Sequence, residues 1–284
     1  MSEKTEPGSY FVANYPPFSR WTTEAVPEAL AAFAAPATTA PLGLYLHVPF
    51  CRKRCKFCYF RVYTDVAAAD VERYSQALAR EAAVAAAQPA VAGRTLRYVY
   101  FGGGTPSFLS VKQLERLVAG LHKSFGWDDA EEVTFECEPG TLSEPKVRAL
   151  KTLGMTRISL GVENFDDAIL EANGRAHLSA EILRAWDWIK AAEFPNTNVD
   201  LIAGMVGETD ETWERTVAQT LALEPDSVTI YQMELPFNTV FVRSAKDGGD
   251  TVPVADWATK RAWVNEAFER FLDRGYAISS GYTL

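Results

Sequence analysis

His47-Val-Pro-Phe-Cys51-Arg-Lys-Arg-Cys55-Lys-Phe-Cys58-Tyr-Phe60 places three cysteines within eight positions. A CxxxCxxC run on a short loop can bind one iron–sulfur cluster through three thiolates, and a four-iron cluster held this way keeps one iron without a cysteine ligand. Zinc is the structural competitor. It wants four ligands, usually from two paired Cys or His motifs, and only His47 stands near enough in sequence to complete such a set. Phe50, Phe57, Tyr59 and Phe60 interleave with the thiols and would shield a cluster from water, which helps set its potential.

The fourth cysteine, Cys137, lies far from the triplet in a chain of 284 residues. That usage forms no disulfide framework and fits a reducing compartment where thiolates bind metal. A hydrophobic content of 48% is enough for a substantial core, with one main domain as the default. The formal net charge of -9 disfavours nucleic acid as the main partner, because phosphate contacts supply most of that affinity. The N-terminal Met-Ser-Glu-Lys-Thr-Glu-Pro-Gly has no apolar signal region, and no apolar run reaches the roughly 18 residues of a membrane span. The chain therefore reads as soluble and cytoplasmic, with no integral membrane segment.

Residues 1–40 are rich in Pro, Ala, Ser and Thr, with scattered aromatics (Tyr10, Phe11, Tyr15, Phe18, Trp21). They read as an extension wrapped over the main domain, with a short helix near Glu24 to Phe33. Strands are expected over Leu42 to Val48, Arg97 to Phe101, Glu131 to Glu138, Arg157 to Glu163, Asn196 to Ile202 and Ser227 to Met233. Helical patterns lie between them near Val66 to Ala87, Ser110 to Phe125, Ser143 to Leu153, Ser179 to Ala192 and Thr209 to Leu223, and then over Pro253 to Arg274. Alternation of this kind indicates repeated βαβ units and a parallel sheet. Six units predict an α/β fold of the partial (β/α)6, TIM-like barrel type, closed or nearly closed, rather than a full eightfold barrel.

Successive strand residues point to opposite faces, so the alternation within each strand carries information. Glu136 and Glu138 share a face with Thr134, opposite Val133, Phe135 and Cys137. Ser159 and Glu163 oppose Ile158, Leu160 and Val162; Asn198 and Asp200 oppose Val199 and Leu201; Tyr45 and His47 oppose Leu44, Leu46 and Val48. Buried parallel strands usually read as continuous apolar runs. A recurring polar face therefore points to a filled interior cavity, since carboxylates there are unfavourable unless they hold ligands or cations. Cys137, on the apolar side, reads as a core cysteine. His47 reads as a histidine packed against the cysteine loop.

Phe101-Gly-Gly-Gly-Thr-Pro106 follows a strand and precedes a helix. Its glycines would let the backbone approach a ligand closely and expose N–H and C=O groups to it. This motif and the cysteine run, with Glu136-Cys-Glu-Pro139, Arg157-Ile-Ser-Leu-Gly-Val-Glu-Asn-Phe165, Asn173-Gly-Arg175 and Asn198-Val-Asp-Leu-Ile202, resemble the radical S-adenosylmethionine (SAM) superfamily. The resemblance is narrowest to the branch of oxygen-independent coproporphyrinogen III oxidase and the related heme chaperones, and it spans about residues 42–284.

The resemblance implies that Cys51, Cys55 and Cys58 hold a [4Fe-4S] cluster whose open iron is chelated by SAM. It assigns SAM contacts to Tyr45 and to the turn of Gly102, Gly103, Gly104 and Thr105, with further contacts from Glu136, Glu163, Arg175, Asp200 and Ile202. A radical SAM core over 41–250 is implied, with a C-terminal helix and strand-like Tyr276 to Tyr282 over 251–284 as the start of a truncated cap region. The implied activity is that of an oxidoreductase generating a 5'-deoxyadenosyl radical, which abstracts hydrogen from a tetrapyrrole substrate in porphyrin biosynthesis. A heme-binding chaperone and a radical SAM methyltransferase are the alternatives. The basic run Arg52, Lys53, Arg54, Lys56 and Arg61 suits an acidic flavodoxin or ferredoxin-type electron donor, or substrate carboxylates. Two departures stand out: Phe60 occupies the position of the oxidase's fourth cysteine, and Glu163 stands where glutamine is common in the family.

Overall fold

The computed structural model describes residues 4–5, 20–246 and 254–284. Six strands, β1 (Gly43–Val48), β2 (Tyr98–Gly103), β3 (Glu132–Cys137), β4 (Arg157–Glu163), β5 (Asn196–Ala203) and β6 (Ser227–Gln232), form one sheet in sequence order. Every neighbouring pair is parallel. No ladder joins β6 back to β1 among the described residues, so the sheet is an open partial barrel. The helices are α1 (Val26–Ala34), α2 (Ala68–Ala86), α3 (Val111–His122), α4 (Glu144–Thr152), α5 (Asp167–Ala172), α6 (Ser179–Ala191), α7 (Asp210–Leu223), α8 (Val240–Lys246) and α9 (Trp257–Asp273).

The predicted apolar parity of the strands is the helix-facing parity. Val133, Phe135, Ile158, Leu160, Val162, Val199 and Leu201 are 0–2% exposed and share one core with Leu117, Leu150, Ile182 and Trp213 from the helices. Helix starts follow local chemistry. The Ser110 hydroxyl accepts from Gln113 N–H while the Gln113 side chain accepts from Ser110 N–H, closing a capping box on α3. Asp256 caps α9 by accepting from Thr259 N–H at 2.8 Å, so this helix starts at Trp257; Pro253 lies outside the described residues.

Three features differ from the sequence reading. Short α5 and α8 have too few turns to show a periodic pattern; they carry Ile169, Phe241 and Val242 into a second apolar cluster with Ile202, Met205 and Met233. Residues 276–282 form no strand, because Ser279 and Ser280 turn the chain back through bonds to the Thr283 carbonyl. The chain then meets β6 in one antiparallel bridge of Thr283 with Thr229, flanked by Leu284–Val228 bonds and by Ile230 N–H donating to the Tyr282 carbonyl at 2.7 Å. Lastly, α1 buries none of its residues; it is tied to the turn after α2 by Ala90 N–H donating to the Phe33 carbonyl. Tyr10, Phe11, Tyr15 and Phe18, and the expected boundary at 250/251, lie outside the described residues.

Candidate functional site

The C-terminal ends of the strands surround a cavity of about 660 Å³. Cys51, Cys55 and Cys58 line it together with Gly103, Gly104, Thr105, Glu136, Glu163, Arg175, Asp200 and Ile202. Residues scattered over 150 positions of sequence thus converge because parallel strands all end on one side of the sheet. Two expected contacts stand back from the cavity wall. Gly102 underlies it, since a Cβ there would stand 3.1 Å from both Glu136 Oε1 and the Tyr45 ring. Tyr45 is 56% exposed on the inner face of β1, stacks on Tyr100 and shares a 3.0 Å hydrogen bond with His47 Nδ1.

The cysteine loop leaves β1 and is stitched shut at its neck. Cys51 N–H donates to the Tyr63 carbonyl, and Tyr63 N–H to the Pro49 carbonyl. At its tip, Lys56 N–H donates to the Asn173 carbonyl, and the Lys56 carbonyl accepts from Phe241 N–H. All three thiols are free. Burial pushes the Cys58 thiol up to about 11 and raises that of Cys51, against the Thr105 hydroxyl, whose hydrogen bond favours the Cys51 thiolate.

The basic run is largely absorbed into this architecture. Arg52 donates to the Ala176 carbonyl and pairs with Glu138 at 3.4 Å, while Arg54 donates to the carbonyls of Cys58 and Asn238. Lys56 sits 5.8 Å from the Phe241 ring. Lys53 reaches the Arg175 carbonyl at 3.5 Å and Arg61 lies 5.6 Å over the Tyr63 ring, and both stay exposed, as does Arg52.

At the glycine turn, Gly103 has φ +118° and Gly104 N–H donates to the Val48 carbonyl at 2.8 Å. A side chain at Gly103 would meet the His47 ring at 2.8 Å, so glycine is required there by both conformation and space. His47 packs against this turn and meets the cysteine loop edge-on at Phe60, with ring centroids 6.4 Å apart. The strand runs on through Gly102 and Gly103 rather than stopping at Phe101, because the ladder with β1 continues to Val48.

The carboxylates meet below that turn. Glu136 accepts from Tyr100 O–H at 2.7 Å and from Gly103 N–H at 3.1 Å. Burial pushes its carboxyl up to about 7 despite those donors. Asp200 accepts from Ser159 O–H at 2.7 Å and from the Asn198 amide at 2.9 Å, and burial raises it as well. Glu163 reaches the cavity through a bulge: Gly161 pairs with Asp200, Glu163 with Leu201, and Glu163 takes φ +65°. A left-handed φ at a non-glycine residue costs about 1–3 kcal/mol and clusters at sites where it re-aims a side chain.

Arg175 joins the two halves of the site. Its Nη1 donates to Cys55 Sγ at 3.2 Å, its Nη2 to the Gly161 carbonyl at 2.8 Å, and Nη1 lies 3.5 Å from Glu163 Oε1. The side chain is 10% exposed, and its Nε is buried without a hydrogen-bond partner. Three other participants were missing from the residues expected from sequence. Tyr100 and Tyr231 line the cavity from β2 and β6; their strand parity would have found them. His177 carries no such signal, yet its Nδ1 meets Glu138 at 2.9 Å. Burial pushes Glu138 up, but the His177 hydrogen bond and the charges of His177, Arg52 and Arg175 outweigh it and hold Glu138 below the usual carboxylate range.

Since Glu136 is protonated up to about pH 7 when folded but ionises near 4.5 when unfolded, the folded state holds more protons between those values. Stability conferred at low pH is therefore lost as pH rises through that window. Urea unfolding of the cofactor-free protein is expected to show higher midpoints at pH 5 than at pH 7.5, and Glu136→Gln is expected to flatten that slope. An unchanged slope in the variant would assign the pH dependence to other groups.

The donor set fits a cluster and SAM. Among the described residues, no three His, Cys, Asp or Glu side chains converge as ligands of a single metal ion. A cluster asks for something different, since each thiolate meets its own iron and the sulfurs stand apart. The orphaned Arg175 Nε and the elevated carboxyls are the complementary signs of groups arranged for a ligand that carries both an anion and a cation.

Comparison with known proteins places this geometry. The sequence profile described as the radical SAM superfamily matches residues 45–219. A heme chaperone HemW from Synechocystis is 33% identical over 218 residues, covering 75% of this chain and 52% of the relative. An oxygen-independent coproporphyrinogen III oxidase from the same organism is 33% identical over 192 residues, covering 67% and 41%. The solved structure of coproporphyrinogen III oxidase (HemN) from Escherichia coli, described as a radical SAM enzyme, superposes with a TM-score of 0.82 at 26% identity, over 96% of this chain and 62% of that one. The chain spans about half the length of the curated relatives it matches.

Proposed function

The chain belongs to the radical SAM superfamily, and from that premise we propose that it is a coproporphyrinogen III oxidase-like protein whose cofactors are a [4Fe-4S] cluster and SAM and whose substrate is a tetrapyrrole. The observation that carries this reading is the convergence of three free thiols, a glycine turn and four largely buried charged side chains on one 660 Å³ cavity. When bound, the cluster and SAM together supply reductive cleavage of SAM and abstraction of a substrate hydrogen atom.

In this proposal Cys51, Cys55 and Cys58 hold the cluster. Glu136, with the Gly102–Gly104 turn, receives the SAM ammonium, whose charge would draw a proton off the elevated carboxyl. Arg175 offers its unpartnered Nε to the SAM carboxylate, a pairing that suits a guanidinium. Asp200, held by Ser159 and Asn198, faces the ribose hydroxyls, and Ile202 supplies apolar surface beside them. Tyr59, Phe60, Tyr100 and Tyr231 wall the cavity and exclude water from it. An acidic flavodoxin or ferredoxin-type donor would dock at the exposed cations Arg52, Lys53 and Arg61. Among the described residues no helix is long and apolar enough to cross a membrane.

Phe60 favours a second reading. It lines the cavity, 40% exposed, where the oxidase pattern has a cysteine, and a HemW heme chaperone is among the similar relatives. The two readings are separated by anaerobic loading of the cluster, reduction in the presence of SAM, and measurement of 5'-deoxyadenosine with and without coproporphyrinogen III. The expected result is deoxyadenosine that rises with substrate. Heme binding without SAM cleavage would select the chaperone, and no deoxyadenosine under any reducing condition would reject the enzyme.

A further inference from the structure

Thr105 stands at the entry to the 3-10 turn Pro106–Phe108, where a threonine ordinarily directs its hydroxyl onto the N–H groups of the turn. Here the side chain makes no such cap. The turn closes through the backbone, with Phe108 N–H donating to the Thr105 carbonyl at 2.9 Å. The freed hydroxyl lies 3.3 Å from Cys51 Sγ, and Thr105 is 8% exposed.

The pair is held by backbone on both sides. Cys51 N–H is tied to the Tyr63 carbonyl, and the Gly104 N–H bond to Val48 clamps the glycine turn to the end of β1. The clamp leaves no slack: a Cβ at Gly104 would stand 3.0 Å from Cys51 Sγ and 3.0 Å from the Val48 oxygen. Thr105 and Cys51 therefore cannot drift apart without opening the β1–β2 junction.

Resting on the cluster reading above, we propose that Thr105 tunes the cluster by donating its hydroxyl hydrogen to the Cys51 thiolate, which raises the reduction potential. A thiolate carries no hydrogen, so within this pair the hydroxyl is the donor. One-electron reduction spreads added negative charge over iron and sulfur, and a donor on sulfur stabilises the reduced form more than the oxidised one. The electron comes from an external reductant, and no bond to Thr105 is made or broken. Arg175 offers a comparable donor to Cys55, but Glu163 and the Gly161 carbonyl also engage it. Thr105 supplies its hydrogen bond independently of how Arg175 is shared.

The test is an EPR-monitored redox titration of anaerobically loaded protein in the absence of SAM, comparing wild type, Thr105→Val and Thr105→Ser. The valine variant is expected to shift to a more negative midpoint potential at unchanged iron and sulfide content, and serine to restore the wild-type value. A valine variant at the wild-type potential overturns the proposal. If valine holds no cluster, Thr105→Ala is titrated in its place under the same criterion. Loss of the cluster from both valine and alanine with full loading in serine ties the hydroxyl to the sulfur, whereas loss from all three overturns the proposal. A wild-type chain that takes up no four-iron cluster refutes the cluster reading itself, a result visible before any variant is made.

Discussion

Replacing Cys55 with alanine is expected to abolish the brown iron–sulfur chromophore, while Cys137→Ala retains it. The two thiols differ in what surrounds them. Cys55 sits on the stitched loop in the cavity wall, with a guanidinium nitrogen 3.2 Å from its sulfur. Cys137 is 5% exposed on the helix-facing parity of β3, its sulfur 3.9 Å from the Phe135 carbonyl, and burial pushes its thiol far above the range where a thiolate forms. A cluster with three protein thiolates has none to spare, so loss of one removes the metal rather than weakening it. The measurement is iron and acid-labile sulfide per chain after anaerobic loading. Wild-type content in Cys55→Ala would remove Cys55 from the ligand set, and loss of content in Cys137→Ala would make a core residue into a ligand.

The same parity argument explains what was legible before the structure. Each strand carried its apolar residues on alternate positions, so the helix-facing core and the inward direction of Glu136 and Asp200 could be read directly. Glu163 was assigned to that inward face by simple alternation, and it does line the cavity. It arrives there through a bulge and a left-handed backbone, which period-two counting does not contain. Arg175 could have been an exposed charge by composition alone; its burial depends on Cys55, Gly161 and Glu163 meeting around it, contacts between segments far apart in sequence. The contact of His177 with Glu138 belongs to the same class. The two short helices α5 and α8 and the turn at Ser279–Ser280 escaped because a segment of one or two turns has no period to detect.

Arg175→Met is expected to destabilise the cluster-free protein, by about 1 kcal/mol more at pH 8 than in acid, since pH 8 lies one unit above a carboxyl at about 7 and each unit is worth about 1.4 kcal/mol. Both side chains are shielded, at 10% and 13% exposure, so solvent screens the pair little. With Arg175 present, burial already pushes the Glu163 carboxyl up to about 7, and the arginine is the opposing influence. Removing it drives the carboxyl higher still, so the variant's folded state holds a proton that the unfolded chain releases near 4.5. The sign follows: in acid the folded carboxyl is protonated with or without the arginine and the penalty is smaller, and it grows as pH rises through 7. Adding Glu163→Gln removes the charge that Arg175 was compensating, and the double variant is expected to recover a substantial part of the loss and to lose the pH dependence that Arg175→Met added. Urea unfolding of the four proteins at pH 5.5 and pH 8 measures the coupling. Equal losses at the two pH values, or a double variant no more stable than Arg175→Met, would show that Arg175 acts on the fold through its Gly161 and Cys55 contacts and not through Glu163. The cycle also isolates the ligand-facing role. SAM affinity in the double variant is expected to stay low even where stability returns, because the guanidinium proposed to meet the SAM carboxylate is still missing.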